Sequence, residues 1–207
     1  SERNVLLNIV DKTEDYVAFA TSLFGHPTFN DYVIDCAHGA TSYISQMMFE
    51  VPHYFNEPNG TNINDACGAT YMKAIQEVKK NHRVGFSFDG DGDRMLLVID
   101  DDIIYGDQIL YLFAKDMMLR GEDVSVALSV MTNPGVLNAF KQLGVDVFET
   151  PVGDAYLFEA IKEGYAIIGA EASGHYMLNY DNGTHKLLIG DGMLAAKKVI
   201  DIISRYS

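Results

Sequence analysis

The sequence is poor in cysteine and in basic residues and has no long apolar run, and each shortage removes a class of protein. Cys36 and Cys67 are its only cysteines. Two are too few for a disulfide framework or a zinc site, so each is read as a small apolar packing residue in a reducing, cytoplasmic setting. Lys and Arg number 15 against 29 Asp and Glu, a formal net charge of −14. No basic patch can dominate such a surface, which argues against nucleic acid as a partner. An anionic ligand would need a locally positive pocket or a bound cation. No apolar stretch approaches the roughly 18 residues of a membrane helix. The chain does not open on a basic-then-apolar leader, so neither a membrane span nor a signal peptide is expected. Two N-x-T sequons, at Asn59 and Asn182, carry no weight without a secretory signal. No internal repeat or low-complexity tract is visible.

What the chain does have is material for well-formed cores: 207 residues, 48% of them hydrophobic, enough for one large domain or two of ordinary size. Strand-like and helix-like segments alternate, the pattern of α/β architecture with mixed, mainly parallel sheets. Tyr32–Asp35, Val84–Phe88 and Met95–Ile99 read as strands. Thr70 is a candidate cap for a helix from about Tyr71 to Lys80, and Thr13–Phe24 also reads as helical. In the second half, strands are expected at Val124–Val130, Val145–Phe148, Ala166–Gly169 and Tyr176–Asn179. Asn133-Pro134 should cap a helix that Gly144 closes, and Asp154 should cap one ending at Gly164. A last helix runs from Gly192 to about Tyr206, with Leu194, Val199, Ile202 and Ile203 on one face. Asp100-Asp101-Asp102 interrupts the apolar pattern, placing a boundary between two α/β domains, 1–103 and 104–207.

The most informative stretch is Asp89-Gly90-Asp91-Gly92-Asp93-Arg94. In an extended segment alternate residues point to one side, so the three carboxylates can converge on one point. The glycines let the backbone bend around it. Such all-oxygen ligands suit Mg²⁺ or Ca²⁺ better than zinc. The preceding strand places the run at a strand's C-terminal end, where α/β sheets bind ligands. A solvated acidic turn is the bland alternative, but strict alternation between two apolar strands argues against it. An EF-hand loop would need Gly at its sixth position and Glu at its twelfth, where Arg94 and Asp100 stand.

Other constellations are weaker. Glu171-Ala172-Ser173-Gly174-His175 also follows a strand and offers the donors and acceptors that vicinal sugar hydroxyls require; a polar turn is an equal reading. Gly190-Asp191-Gly192 opens the last helix and reads as a cap rather than an anion site. His38-Gly39 and Val152-Gly153-Asp154 read as turns between elements.

Together these runs resemble the α-D-phosphohexomutase superfamily, most closely its phosphoglucosamine mutase branch. They are DCAHGAT (Asp35–Thr41), NINDACGAT (Asn62–Thr70), FDGDGDR (Phe88–Arg94), GDQIL (Gly106–Leu110), VMTNPG (Val130–Gly135), TPVGD (Thr150–Asp154), EASGH (Glu171–His175) and GDG (Gly190–Gly192). The resemblance implies domains two and three of a four-domain enzyme. The first domain's phosphoserine loop and the fourth domain's phosphate-gripping loop have no counterpart here, and the chain starts at Ser1, so an excised and by itself inactive fragment is expected. By resemblance Asp89, Asp91 and Asp93 would hold Mg²⁺. Arg94 would steady the phosphate or the loop. Glu171, Ser173, Gly174 and His175 would bind a hexosamine phosphate, His175 also assisting proton transfer. The implied reaction interconverts glucosamine 6-phosphate and glucosamine 1-phosphate through a phosphoserine and a sugar bisphosphate, feeding peptidoglycan precursors. A phosphomannomutase or phosphoglucomutase, or a non-catalytic sugar-phosphate-binding protein, are the alternatives, and a homodimer is left open. A haloacid dehalogenase-type phosphatase would need Thr or Val where Asp93 stands. Three positions depart from the family pattern: Ala155 replaces a basic residue, His38 an Asn and Ile189 a Thr.

Overall fold

The computed structural model describes residues 10–206. Helix α1 (Thr13–Phe24) leads into β1 (Tyr32–Asp35), α2 (Thr41–Met48), β2 (His53–Tyr54), α3 (Lys73–Lys79), β3 (Val84–Phe88), β4 (Met95–Ile99) and β5 (Asp102–Ile104). Helix α4 (Gly106–Leu119) then leads into β6 (Ser125–Ser129), α5 (Pro134–Leu143), β7 (Asp146–Thr150), α6 (Asp154–Lys162), β8 (Ile168–Ala170), β9 (Tyr176–Asp181) and β10 (Lys186–Ile189). Helix α7 (Gly192–Tyr206) follows. No helix among the described residues is long and apolar enough to cross a membrane.

The two five-stranded sheets run β2-β1-β3-β4-β5 and β7-β6-β8-β9-β10, the same order built twice. In each, the first three strands are parallel and the last two join antiparallel. The topology therefore repeats although the sequence does not. Strand order depends on the pattern of burial and on connection lengths, and many different side chains satisfy both. The repetition has a functional consequence. The acidic run joins β3 to β4, and the Glu171–His175 run joins β8 to β9, so both occupy the same turn of the repeated unit.

Strands β1 and β3 are buried at every residue, as strands covered on both faces by helices must be. The main core brings Phe86, Phe88 and Leu97 of the first sheet together with Phe113, Tyr176, Leu194, Val199 and Ile202 of the second half. Helix α7 packs on β3, β4 and α1, so the last element lies against the first sheet.

The expected elements α1, β1, β3, β4 and α7 have the bounds read from the sequence. Asn133 caps α5, its Oδ1 accepting from Gly135 N at 2.8 Å, and Gly144 ends that helix in the left-handed region. Two capping assignments are corrected. Helix α3 starts at Lys73 after Met72, without a side-chain cap, because Thr70 lies in the turn before it. Helix α6 has Gly153 at its cap position and Asp154 as its first residue, the Asp154 carboxylate accepting from Ala155 N at 2.8 Å. His38 Nδ1 accepts from Glu57 N at 3.2 Å, while the turn that follows it packs on the acidic run, Ala40 N donating to Gly90 O at 2.8 Å.

Candidate functional site

The acidic loop is a tight turn wound around one of its own carboxylates, not the extended ladder the alternation implied. Asp89 is 2% exposed. Its Oδ1 accepts from Gly92 N at 3.2 Å and Arg94 N at 3.1 Å, and its Oδ2 accepts from Arg94 Nε at 2.6 Å. Gly92, at φ +82°, makes the reversal possible. The carboxylates converge by this turn: ligand atoms of Asp89, Asp91 and Asp93 lie within 4.8 Å of one another.

The donor set fits a hard divalent cation on its own chemistry. Burial, with the charges of Asp89 and Asp91 beside it, pushes the Asp93 carboxyl above the usual range, against the opposing pull of His175. Asp93 Oδ1 is buried without a hydrogen-bond partner, and Arg94 Nε at 3.9 Å is beyond reach. A cation between the carboxylates would offset their repulsion and give that oxygen a partner.

The second loop meets the first. His175 Nε2 lies 3.2 Å from Asp93 Oδ2, and its Nδ1 lies 3.2 Å from Ser173 Oγ and 3.4 Å from Glu171 Oε2. The backbones pair as well: Arg94 and His175 form a bridge, and Met95 N donates to Gly174 O at 3.0 Å. Gly174, at φ +95°, has Met95 O so close that a Cβ would sit 2.7 Å from it. Glu171 is 7% exposed, and its Oε1 accepts from Gly153 N at 2.7 Å. Beside this loop lies a groove of about 430 Å³ lined by Tyr105, Asp107, Gln108, Met131, Asn133 and Ala172 among others. Chemically the arrangement offers a cation site abutting carboxylate, hydroxyl and imidazole groups, with Ser173 able to donate and Glu171 to accept.

All eight sequence-predicted residues (Asp89, Asp91, Asp93, Arg94, Glu171, Ser173, Gly174 and His175) fall in these two touching loops. Three supports were not foreseen. The Val152-Gly153-Asp154 turn, read as a plain helix start, orients Glu171. Asp35, fully buried, ties three segments together, accepting from Ala37 N at 2.8 Å, Gly68 N at 2.8 Å and Ser87 Oγ at 3.0 Å. Burial pushes its carboxyl up, partly offset by those donors. Tyr16 of α1 donates to Asp191. A buried acid beside Gly-rich turns was the available signal for Asp35; nothing local marks Tyr16.

Two Gly-rich loops at equivalent turns of a repeated α/β unit, one acidic and one sugar-compatible, point to a class that the chain is similar to, the α-D-phosphohexomutases. Residues 105–207 match the family described as phosphoglucomutase/phosphomannomutase, alpha/beta/alpha domain III. Within the class, the chain is similar to phosphoglucosamine mutases. It is 39% identical over 212 residues to that of Vibrio atlanticus (strain LGP32), covering 97% of this chain and 46% of the relative. It is 44% identical over 182 residues to phosphoglucosamine mutase 1 of Shewanella amazonensis (strain ATCC BAA-1098 / SB2B), covering 84% of this chain and 40% of the relative. The chain thus spans less than half the length of these relatives. Its fold is that of a phosphoglucomutase/phosphomannomutase family protein from Burkholderia thailandensis, with TM-score 0.78 and 22% identity over 94% of this chain and 44% of the other. It is also that of Aspergillus fumigatus N-acetylphosphoglucosamine mutase, solved in complex with GlcNAc-6P and magnesium. There the TM-score is 0.73 and the identity 19%, over 94% of this chain and 50% of the other.

Proposed function

We propose that this chain is the cation- and sugar-recognising part of a cytoplasmic phosphoglucosamine mutase. The longer enzyme would interconvert glucosamine 6-phosphate and glucosamine 1-phosphate through a phosphoserine and a sugar bisphosphate, supplying peptidoglycan precursors. The observation that supports this best is the contact between the two loops, with His175 Nε2 at 3.2 Å from Asp93 Oδ2. In this reading a hydroxyl-binding surface lies directly beside a site suited to phosphoryl chemistry. Asp89, Asp91 and Asp93 would hold Mg²⁺, which when bound offsets charge on a transferring phosphoryl group. Arg94 holds the Asp89 carboxylate and so sets the loop's shape. Glu171 accepts from a sugar hydroxyl and Ser173 donates to one, while Gly174 allows the turn to close against Met95. His175, between Asp93 and Ser173, is placed to hold or move a proton at a sugar hydroxyl.

In this reading residues 1–103 and 104–207 are the second and third domains. The phosphoserine and the grip on the substrate's own phosphate then lie in the first and fourth domains of the longer protein, so the 207-residue chain binds without turning over. The test compares glucosamine, mannose and glucose phosphates as substrates of the full-length enzyme, with and without Glu171→Gln. Glucosamine phosphates should give the highest kcat/KM, and the variant should lose about tenfold or more through one missing charged hydrogen bond. Preference for mannose or glucose phosphates would move the protein to another branch. Turnover by the isolated chain would refute the missing carrier.

A further inference from the structure

We propose that Tyr16 and Asp191 form a positioning pair that holds the acidic loop in its cation-binding shape from behind, through the first amide of α7. The inference rests on the reading that Asp89, Asp91 and Asp93 hold a divalent cation. The Gly92 carbonyl, which lies between Asp91 and Asp93 in the chain, accepts from Gly192 N at 3.0 Å. Gly192 is the first residue of α7, so this N–H is one of the donors a helix start leaves free. The contact is flush: a Cβ on Gly192 would lie 2.6 Å from Arg94 O and 2.8 Å from Gly92 O. Any displacement of the helix start is therefore passed to the turn carrying the carboxylates.

Where that helix starts is decided by Asp191. Its Oδ1 accepts from Leu194 N at 2.9 Å, and both its oxygens accept from Tyr16 Oη at 2.9 Å. Tyr16 belongs to α1, 175 positions away in sequence. Burial, together with the Asp191 charge, drives the Tyr16 hydroxyl well above its ordinary value, which keeps it a donor. Burial likewise pushes Asp191 up, while the bonds from Leu194 and Tyr16 pull it down. An ordinary helix cap needs only one side-chain oxygen accepting from a first-turn N–H. A desolvated carboxylate clamped by a hydroxyl from a distant helix is more than capping requires. Beside this contact, Asp91, Gly92, Asp93, Tyr16 and Asp191 line one open pocket of about 220 Å³, so the pair and the acidic loop share a surface.

The test uses the 207-residue chain with Tyr16→Phe, which deletes one hydroxyl, and Asp191→Asn, which keeps a capping oxygen but weakens the acceptor. Ile202→Val, a cavity-forming change elsewhere in the α7 core, controls for lost stability. Amide exchange by NMR should quicken about tenfold at Gly92, Arg94 and Gly192 in Tyr16→Phe, the scale of one lost charge-assisted hydrogen bond. The Mg²⁺ dissociation constant by calorimetry should rise about threefold to tenfold on the same grounds. Asp191→Asn should fall between Tyr16→Phe and wild type, and stands in for it if that variant does not fold. Ile202→Val should lower Tm and alter neither readout. Unchanged exchange at those amides, or equal quickening in Ile202→Val, would overturn the proposal. Quickened exchange with unchanged Mg²⁺ affinity would overturn it too, leaving Tyr16 a helix staple. If the wild-type chain takes up no Mg²⁺, the cation reading fails on its own, and exchange still decides whether the pair positions the loop.

Discussion

Replacing Gly106 by Ala isolates the contact on which the sugar-side loop depends. Gly106 is the first residue of α4 and donates from its N to Ala172 O at 3.1 Å. Helix propensity alone favours Ala there by up to about 1 kcal/mol. Space argues the other way. An added Cβ would overlap the Glu171 carbonyl oxygen and lie 2.9 Å from Gly174 Cα. Both obstacles are backbone, so no side chain can rotate aside, and the whole Glu171–His175 turn must shift. Overpacking of this kind costs about 1–3 kcal/mol, and the strained hydrogen bond to Ala172 adds about 1 kcal/mol. After the propensity gain, a net loss of about 1–3 kcal/mol is expected, or about 2–12 °C in Tm for a chain of this size. Gly144→Ala is the internal standard. Nothing lies within 4 Å of its Cβ position and only its φ of +77° is at stake, so its loss should be nearer 1 kcal/mol. Thermal unfolding followed by circular dichroism measures both. A Gly106→Ala chain as stable as wild type, or more stable than Gly144→Ala, would refute the claim that α4 and the sugar-side loop are in backbone contact.

Two further outcomes follow from charge. Asp91→Asn, at the exposed member of the trio, should weaken Mg²⁺ binding by at least about tenfold, since ligand charge sets affinity for hard cations; an unchanged calorimetric titration would count against the site. Asp116 is 1% exposed and is held by Arg205 Nη1 at 2.8 Å, Arg120 Nε at 3.2 Å and Tyr206 Oη at 3.1 Å. Burial raises its carboxyl, but the bonds and charge of Arg205, with Arg120 and Tyr206, outweigh that and leave it below the ordinary value. A lowered folded-state value means the stabilisation is present above the unfolded value near 4 and is lost as pH falls through the folded one. Asp116→Asn should therefore destabilise by about 2 kcal/mol at pH 7, discounted because the arginines are partly solvated. That gap should close progressively below about pH 4. A gap that persists at low pH would show the loss to be steric.

Elements with strong local signals were legible: Asn133-Pro134 with Gly144 brackets α5, and alternating or continuous apolar runs mark β1, β3 and β4. Others carried little signal. Strands β2, β5 and β10 are short and half exposed, so they lack a clear burial pattern. Helix α4 buries Ile109, Leu110, Phe113, Ala114, Asp116 and Met117 around much of its circumference, which blurs the apolar stripe of a surface helix. Thr70 and Asp154 looked like caps because capping preference is statistical, while the neighbouring backbone decides which residue takes the cap geometry.

The sequence by itself determined the chemistry of the candidate site. Three carboxylates two residues apart, with glycine between them, supply an all-oxygen donor set within one short run of flexible backbone. Only the tertiary structure decided what that trio faces. Asp93 meets His175 across 82 positions, and Asp191 meets Tyr16 across 175. Such pairs depend on how two sheets of the same topology and the last helix pack together. That packing is a sum over many apolar contacts, and no short run of residues records it.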